Sequence, residues 1–168
     1  MKDIIKEVSF VSGDGTTSTI KREGLEFTYR NMSIGDNSVI TGCTLGLKKE
    51  DKARIVEKIS RYTLERKERQ PLQMPTAGSI FKNPDGDFAG RLIENAGLKG
   101  LREGGARVSE KHANFIENEG DASARDIINL MSIVRDRVLE NTGIMLKPEV
   151  KIVGDDLIGR FNGNGQYS

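Results

Sequence analysis

Between two prolines, residues 75–84 read PTAGSIFKNP. Ser79, Lys82 and Asn83 place a hydroxyl, an ammonium and a carboxamide within five residues. A hydroxyl can give a proton, an ammonium supplies charge, and a carboxamide both donates and accepts. Together they suit an anionic, sugar-like ligand. The same residues also suit a decorated turn whose serine bonds its own backbone. Other chemistries find little material. His112 is the single histidine and Cys43 the single cysteine, which rules out a zinc site of the usual ligand count and any internal disulfide. No phosphate loop of the G-x-x-x-x-G-K-[ST] type and no G-x-G-x-x-G after a strand is present. A Ser79–His112 triad has no G-x-S-x-G elbow behind it.

The elements that must hold these residues follow from periodicity. Residues 4–11 and 17–23 read as strands around Asp14-Gly15, a hairpin signal because glycine tolerates positive φ. EFTYR and SVITGCTLGL supply further strands, with Cys43 expected as a small buried apolar side chain. From residue 48 the period turns helical, with Ala53, Val56, Ile59 and Leu64 on one stripe. Pro71 ends that helix. The basic run Arg61–Gln70 is diluted by Glu65 and Glu68 and reads as a solvated helix end. Phe88, Leu92, Ile93 and Ala96 predict a second helix closed by Gly97. Residues 108–120 read as a turn and a strand, with Asn114 and Asn118 as strand-end hydrogen bonders and His112 open between structural and ligand roles. A third helix begins at a Ser123/Asp126 capping box and stops at Gly143, its stripe being Ile127, Leu130, Met131, Val134 and Val138. The stretch 144–154 reads as one or two strands broken by Pro148.

The 168 residues suit one domain, or one domain plus part of another. A net charge of +1 gives no field to draw nucleic acid or membranes, and the absence of Trp argues against stacking platforms for single strands. Neither a signal peptide nor a bilayer-spanning run is visible, so a reducing cytoplasm is expected.

Four stretches stand out together: YRNMS (Tyr29–Ser33), GSIFKNP (Gly78–Pro84), GLKGLREGGARVSEKHANFIEN (Gly97–Asn118) and LKPEV (Leu146–Val150). In this order and spacing the chain resembles the UDP-N-acetylenolpyruvoylglucosamine reductases, the MurB enzymes of peptidoglycan precursor synthesis, from about Glu7 to Gly154. The resemblance implies a flavoprotein oxidoreductase in which NADPH reduces FAD and the flavin reduces UDP-N-acetylglucosamine enolpyruvate to UDP-N-acetylmuramate. It implies Ser79 as the proton donor and Arg30 and Glu149 as the other catalytic residues. Tyr29, Lys82 and Asn83 would line the substrate site. Those types fit the chemistry. Charge pushed toward the substrate carboxylate wants a planar cation such as arginine, and the resulting basic carbon accepts a proton from a positioned hydroxyl.

Two features depart from that family. Met32 stands where it usually carries serine, and the glycine-rich FAD-binding domain that precedes this region is not in the sequence. The expected architecture is α+β. Residues 1–70 would be an incomplete β-rich flavin-domain remnant, 71–155 a substrate-binding domain with two helices on a sheet, and 156–168 a loose tail. The chain alone is expected to bind FAD weakly or not at all. The other readings open at this point are a non-catalytic sugar-nucleotide-binding module and a degenerate remnant without flavin.

Overall fold

A computed structural model describes residues 2–28, 31–35 and 37–153. The chain is α+β, and its division into two compact units falls between Glu57 and Lys58.

In the first unit, β1 (Ile5–Val11) is flanked by antiparallel β2 (Thr17–Lys21) and β5 (Val39–Leu45). The β1–β2 hairpin turns where the sequence predicts: Gly15 has φ 86° and the Asp14 carboxylate accepts the Thr16 N–H at 2.9 Å. A two-stranded pair, β3 (Glu26–Thr28) with β4 (Asn31–Ser33), follows. Among the described residues of this unit only Val8, Phe10 and Leu25 are buried apolar side chains. Cys43 is exposed rather than buried: β5, the edge strand paired only to β1, has no buried residue, so neither of its faces is covered. The rest of its surface, including Val39 and Ile40, is open as well.

Helix α1 (Lys52–Arg69) crosses the division. Asp51 caps it by accepting from Ala53 N and Arg54 N. The stripe the sequence predicts is there, but α1 buries none of it; Val56, Ile59 and Leu64 are exposed.

The second unit carries the larger core. Its sheet runs β6 (Thr76–Ser79), β9 (Phe115–Asn118), β8 (Ala106–Val108), β7 (Arg102–Glu103), all antiparallel. Helices α2 (Ala89–Asn95) and α3 (Ala124–Thr142) pack with it around Ile80, Phe81, Leu92, Ile93, Leu130, Met131, Val134 and Val138. Ser123 and Asp126 form the predicted capping box, and Gly143 closes α3 in the left-handed region at φ 72°. Gly97 closes α2 the same way at φ 70°. The β7–β8 hairpin and strand β6 are not legible as strands, being short and glycine-bearing. Phe88 also departs from expectation. It precedes α2 in an extended conformation, so it lies off the Leu92–Ile93 stripe and is 67% exposed. Among the described residues no helix is long and apolar enough to cross a membrane. The tail call, 156–168, lies outside the described residues.

Candidate functional site

The PTAGSIFKNP segment is a strand that breaks register and then threads between two neighbours. Thr76 pairs with Glu117 and Ser79 with Phe115, and the register shifts between them. Gly78 stands in that shift with φ 82°, its N–H given to Thr76 Oγ1. A one-residue slip turns a strand side chain to the other face, so this irregularity sets the side on which Ser79 emerges.

Beyond Ser79 the strand is held from both sides. Ile80 N donates to the Asn114 carbonyl at 2.9 Å. The Asn114 carboxamide clasps Phe81, accepting its N–H at 3.0 Å and donating to its carbonyl at 2.8 Å. On the opposite side Lys82 N donates to Lys147 O at 2.8 Å, and Glu149 N donates to Ile80 O at 2.7 Å, around a bridge between Phe81 and Pro148. Asn114 is therefore the strand-end hydrogen bonder the sequence predicts. Asn118 is another, its side chain accepting from Gly120 N and Ala122 N.

Ser79 and Asn83 open into one cavity of about 400 Å³. Asn83 Oδ1 accepts the Ala89 N–H at 3.0 Å, which leaves its NH2 group for other partners. Across the cavity stand Lys111 and His112, from the turn before β9, with Arg91 and Glu94 on α2 and Phe88 at its start. Arg91 is bound to Asp87, whose carboxyl it holds below the usual range. Glu94 pairs with Lys99 at 2.6 Å, and Lys111 Nζ donates to Lys67 O at 2.6 Å. Burial lowers the His112 imidazole's pKa, with Lys99 adding to the effect and Glu94 opposing it. The lining is rich in donors and cations, so it suits a ligand with many acceptor oxygens and negative charge.

Of the six residues the sequence singles out, Ser79 and Asn83 share this cavity. Lys82 is exposed and Glu149 half-buried, each next to the isolated Phe81–Pro148 bridge, and neither lines the cavity; apart from that bridge the described residues 144–153 form no strand, unlike the one or two the sequence suggests. Tyr29 and Arg30 lie outside the described residues. Phe88, Arg91, Glu94 and Lys111 carry no sequence signal of their own. They reach the cavity because α2 and the turn at 109–114 converge on it. Among the described residues no group of three or more His, Cys, Asp or Glu could hold a metal ion.

A flavin pyrophosphate would seek open backbone N–H groups at a helix start. Asp51 caps α1, the Ser123–Asp126 box caps α3, and Asn83 and Asp87 occupy the Ala89 and Phe88 N–H groups at α2. The described residues do not by themselves make a flavin site.

The second unit is thus two helices on an antiparallel sheet with a donor-lined cavity beside α2 and the turn before β9. Residues 70–153 match the family model described as UDP-N-acetylenolpyruvoylglucosamine reductase, C-terminal domain, and the chain belongs to that family. Similar curated proteins include UDP-N-acetylenolpyruvoylglucosamine reductase 2 of Symbiobacterium thermophilum, 44% identical over 92% of this chain and 50% of its own length. The reductase of Lachnoclostridium phytofermentans is 43% identical with the same shares. The crystal structure of the reductase (MurB) from Thermus caldophilus aligns with a TM-score of 0.76 at 37% identity, covering 89% of this chain and 53% of that one. The chain spans about half the length of the curated relatives it matches.

Proposed function

We propose that this chain supplies the substrate-binding and catalytic half of a cytoplasmic reductase acting on UDP-N-acetylglucosamine enolpyruvate. The observation that carries the reading is the meeting of Ser79 and Asn83, from one motif, in one donor-rich cavity. FAD, reduced by NADPH, belongs in this proposal to the part of the relatives' length that the chain does not span. Residues 1–70 are then part of the flavin region and 71–155 the substrate domain. Val39 and Ile40 on β5, and separately Val56, Ile59 and Leu64 on α1, are exposed apolar side chains, and exposed apolar groups of this kind are consistent with further partner surfaces.

In this reading Ser79 gives its hydroxyl proton to the carbon beside the substrate carboxylate, from a strand held rigid by Asn114. Arg30 and Glu149 polarise the reacting group. Tyr29, Lys82, Asn83 and the cavity cations hold the sugar and phosphate oxygens. The test is calorimetric titration of the purified chain with UDP-N-acetylglucosamine and, separately, with FAD. Heat from the sugar nucleotide and none from FAD is the expected result. Tight FAD binding would overturn the division of labour, and silence with both would leave a remnant.

A further inference from the structure

We propose that the chain's own segment Asp155–Ile158 covers an apolar groove on the second unit, seating Leu157 and Ile158 over the core behind the strand that carries Ser79.

The groove shares no residue with the donor-rich cavity. Its floor is Ile80, Ile128 and Met131, all nearly buried. One wall is the first turns of α3, through Ala124 and Ile127, and the other is residues 150–153. Ser79 and Ile80 are neighbours in sequence yet line different cavities, as successive side chains on an extended chain point to opposite faces. Whatever fills the groove therefore packs behind Ser79. Lys151 is the one charged side chain in its lining, and the rest is alanine, valine, isoleucine and methionine. The space is about 230 Å³. An aliphatic cavity of roughly 150 Å³ already holds a benzene, so branched apolar side chains fit here and are stabilised by leaving water.

The sequence supplies such an occupant at the groove's own rim. Val153 lines the groove and is 86% exposed. After it the chain reads GDDLIGRFNGNGQYS, outside the described residues. Gly154, Asp155 and Asp156 are turn-forming types. The stretch from Val153 to Leu157 reaches at most about 14 Å, enough to double back over a groove that begins at Val153. Leu157 and Ile158 are then the apolar pair that arrives there. Asp155 and Asp156 carry two negative charges past Lys151 and toward the positive end of α3, which complements them. From Asn162 onward the sequence holds one aromatic, Tyr167, among Gly, Asn, Gln and Ser, and offers nothing comparable to bury.

The test is methyl NMR on the full chain, with Ile, Leu, Val and Met methyls labelled with carbon-13. Cross-relaxation peaks between the Met131 methyl and those of Leu157 or Ile158 are expected, and they should persist on dilution. Leu157→Asp combined with Ile158→Asp should abolish them, move the Met131 and Ile127 methyl resonances and lower Tm by about 4–8 °C. Gln166→Asp should do none of this. Lys151→Glu should weaken the peaks, and Asp155→Lys with Asp156→Lys in that background should restore them, a rescue that a general loss of stability does not give. Absence of the peaks in the wild type overturns the proposal. So do Met131 and Ile127 methyls that stay in place in the double aspartate variant, which would leave the groove to another occupant. Peaks found only between differently labelled copies in a mixed sample overturn it in favour of a second copy of the chain.

Discussion

Replacing Asn114 by leucine should unfold the second unit at a far lower temperature than its size and shape would suggest. Leucine branches at Cγ like asparagine and has the same number of heavy atoms, with methyls bulkier than the oxygen and NH2 they replace, so no cavity opens. What is lost is the clasp on Phe81. Asn114 and Phe81 are 4% and 1% exposed, and their two bonds measure 3.0 and 2.8 Å. Removing the carboxamide strands a buried N–H and a buried carbonyl, each costing about 1–3 kcal/mol. Leucine's better transfer free energy returns about 1 kcal/mol, leaving a loss of about 3 kcal/mol. For a unit of this size that lowers Tm by at least roughly 10 °C. Circular dichroism melts of the wild type and Asn114→Leu check it, with Asn114→Asp as a companion. The aspartate can still accept from Phe81 N but, ionised, sets a buried charge against Phe81 O, so its deficit should shrink as pH falls and the acid regains a donor. A Tm within about 3 °C of wild type for the leucine variant would refute the reasoning and show that water replaces the clasp.

Gly105→Ala should be among the most damaging substitutions in the β7–β8 hairpin. Its Cβ would fall 2.5 Å from Ala122 N and 2.8 Å from Asp121 C, backbone atoms that cannot swing aside, so a loss of about 2–4 kcal/mol is expected in urea melts. Stability should also decline as pH falls through the window below 6.5. The folded His112 pKa is depressed by burial and Lys99 against the pull of Glu94, so the unfolded chain takes up the proton first and the stability present above 6.5 is lost on the way down. His112→Gln should flatten that part of the profile, whereas the carboxyls of Asp87 and Asp126, held below 3.8, act only at lower pH. Ser79→Ala should leave UDP-N-acetylglucosamine affinity within about threefold in calorimetry, because the proposed proton donor faces a group this ligand lacks; a tenfold loss would make Ser79 a binding residue instead.

Much of this protein is determined locally, by residues whose influence spans a few neighbours. The Ser123–Asp126 box and Gly143 delimit α3, Gly97 ends α2, and Asp14-Gly15 turns the first hairpin. In each case a side chain or a glycine satisfies backbone groups within a turn of itself, so the sequence suffices. Local patterning misleads where burial decides. The α1 stripe has helical spacing yet stays exposed, and Cys43 lies open, since periodicity says which face is apolar and not whether anything covers it. The cavity belongs wholly to tertiary structure. Asn114 reaches across 33 residues to Phe81, a bulge at Gly78 turns Ser79, and α2 brings Arg91 and Glu94 opposite Lys111 and His112. None of those pairings has a short-range signal. They exist because buried backbone groups of a strand that runs out of partners must find hydrogen bonds elsewhere, and the side chain that meets that need also shapes the site.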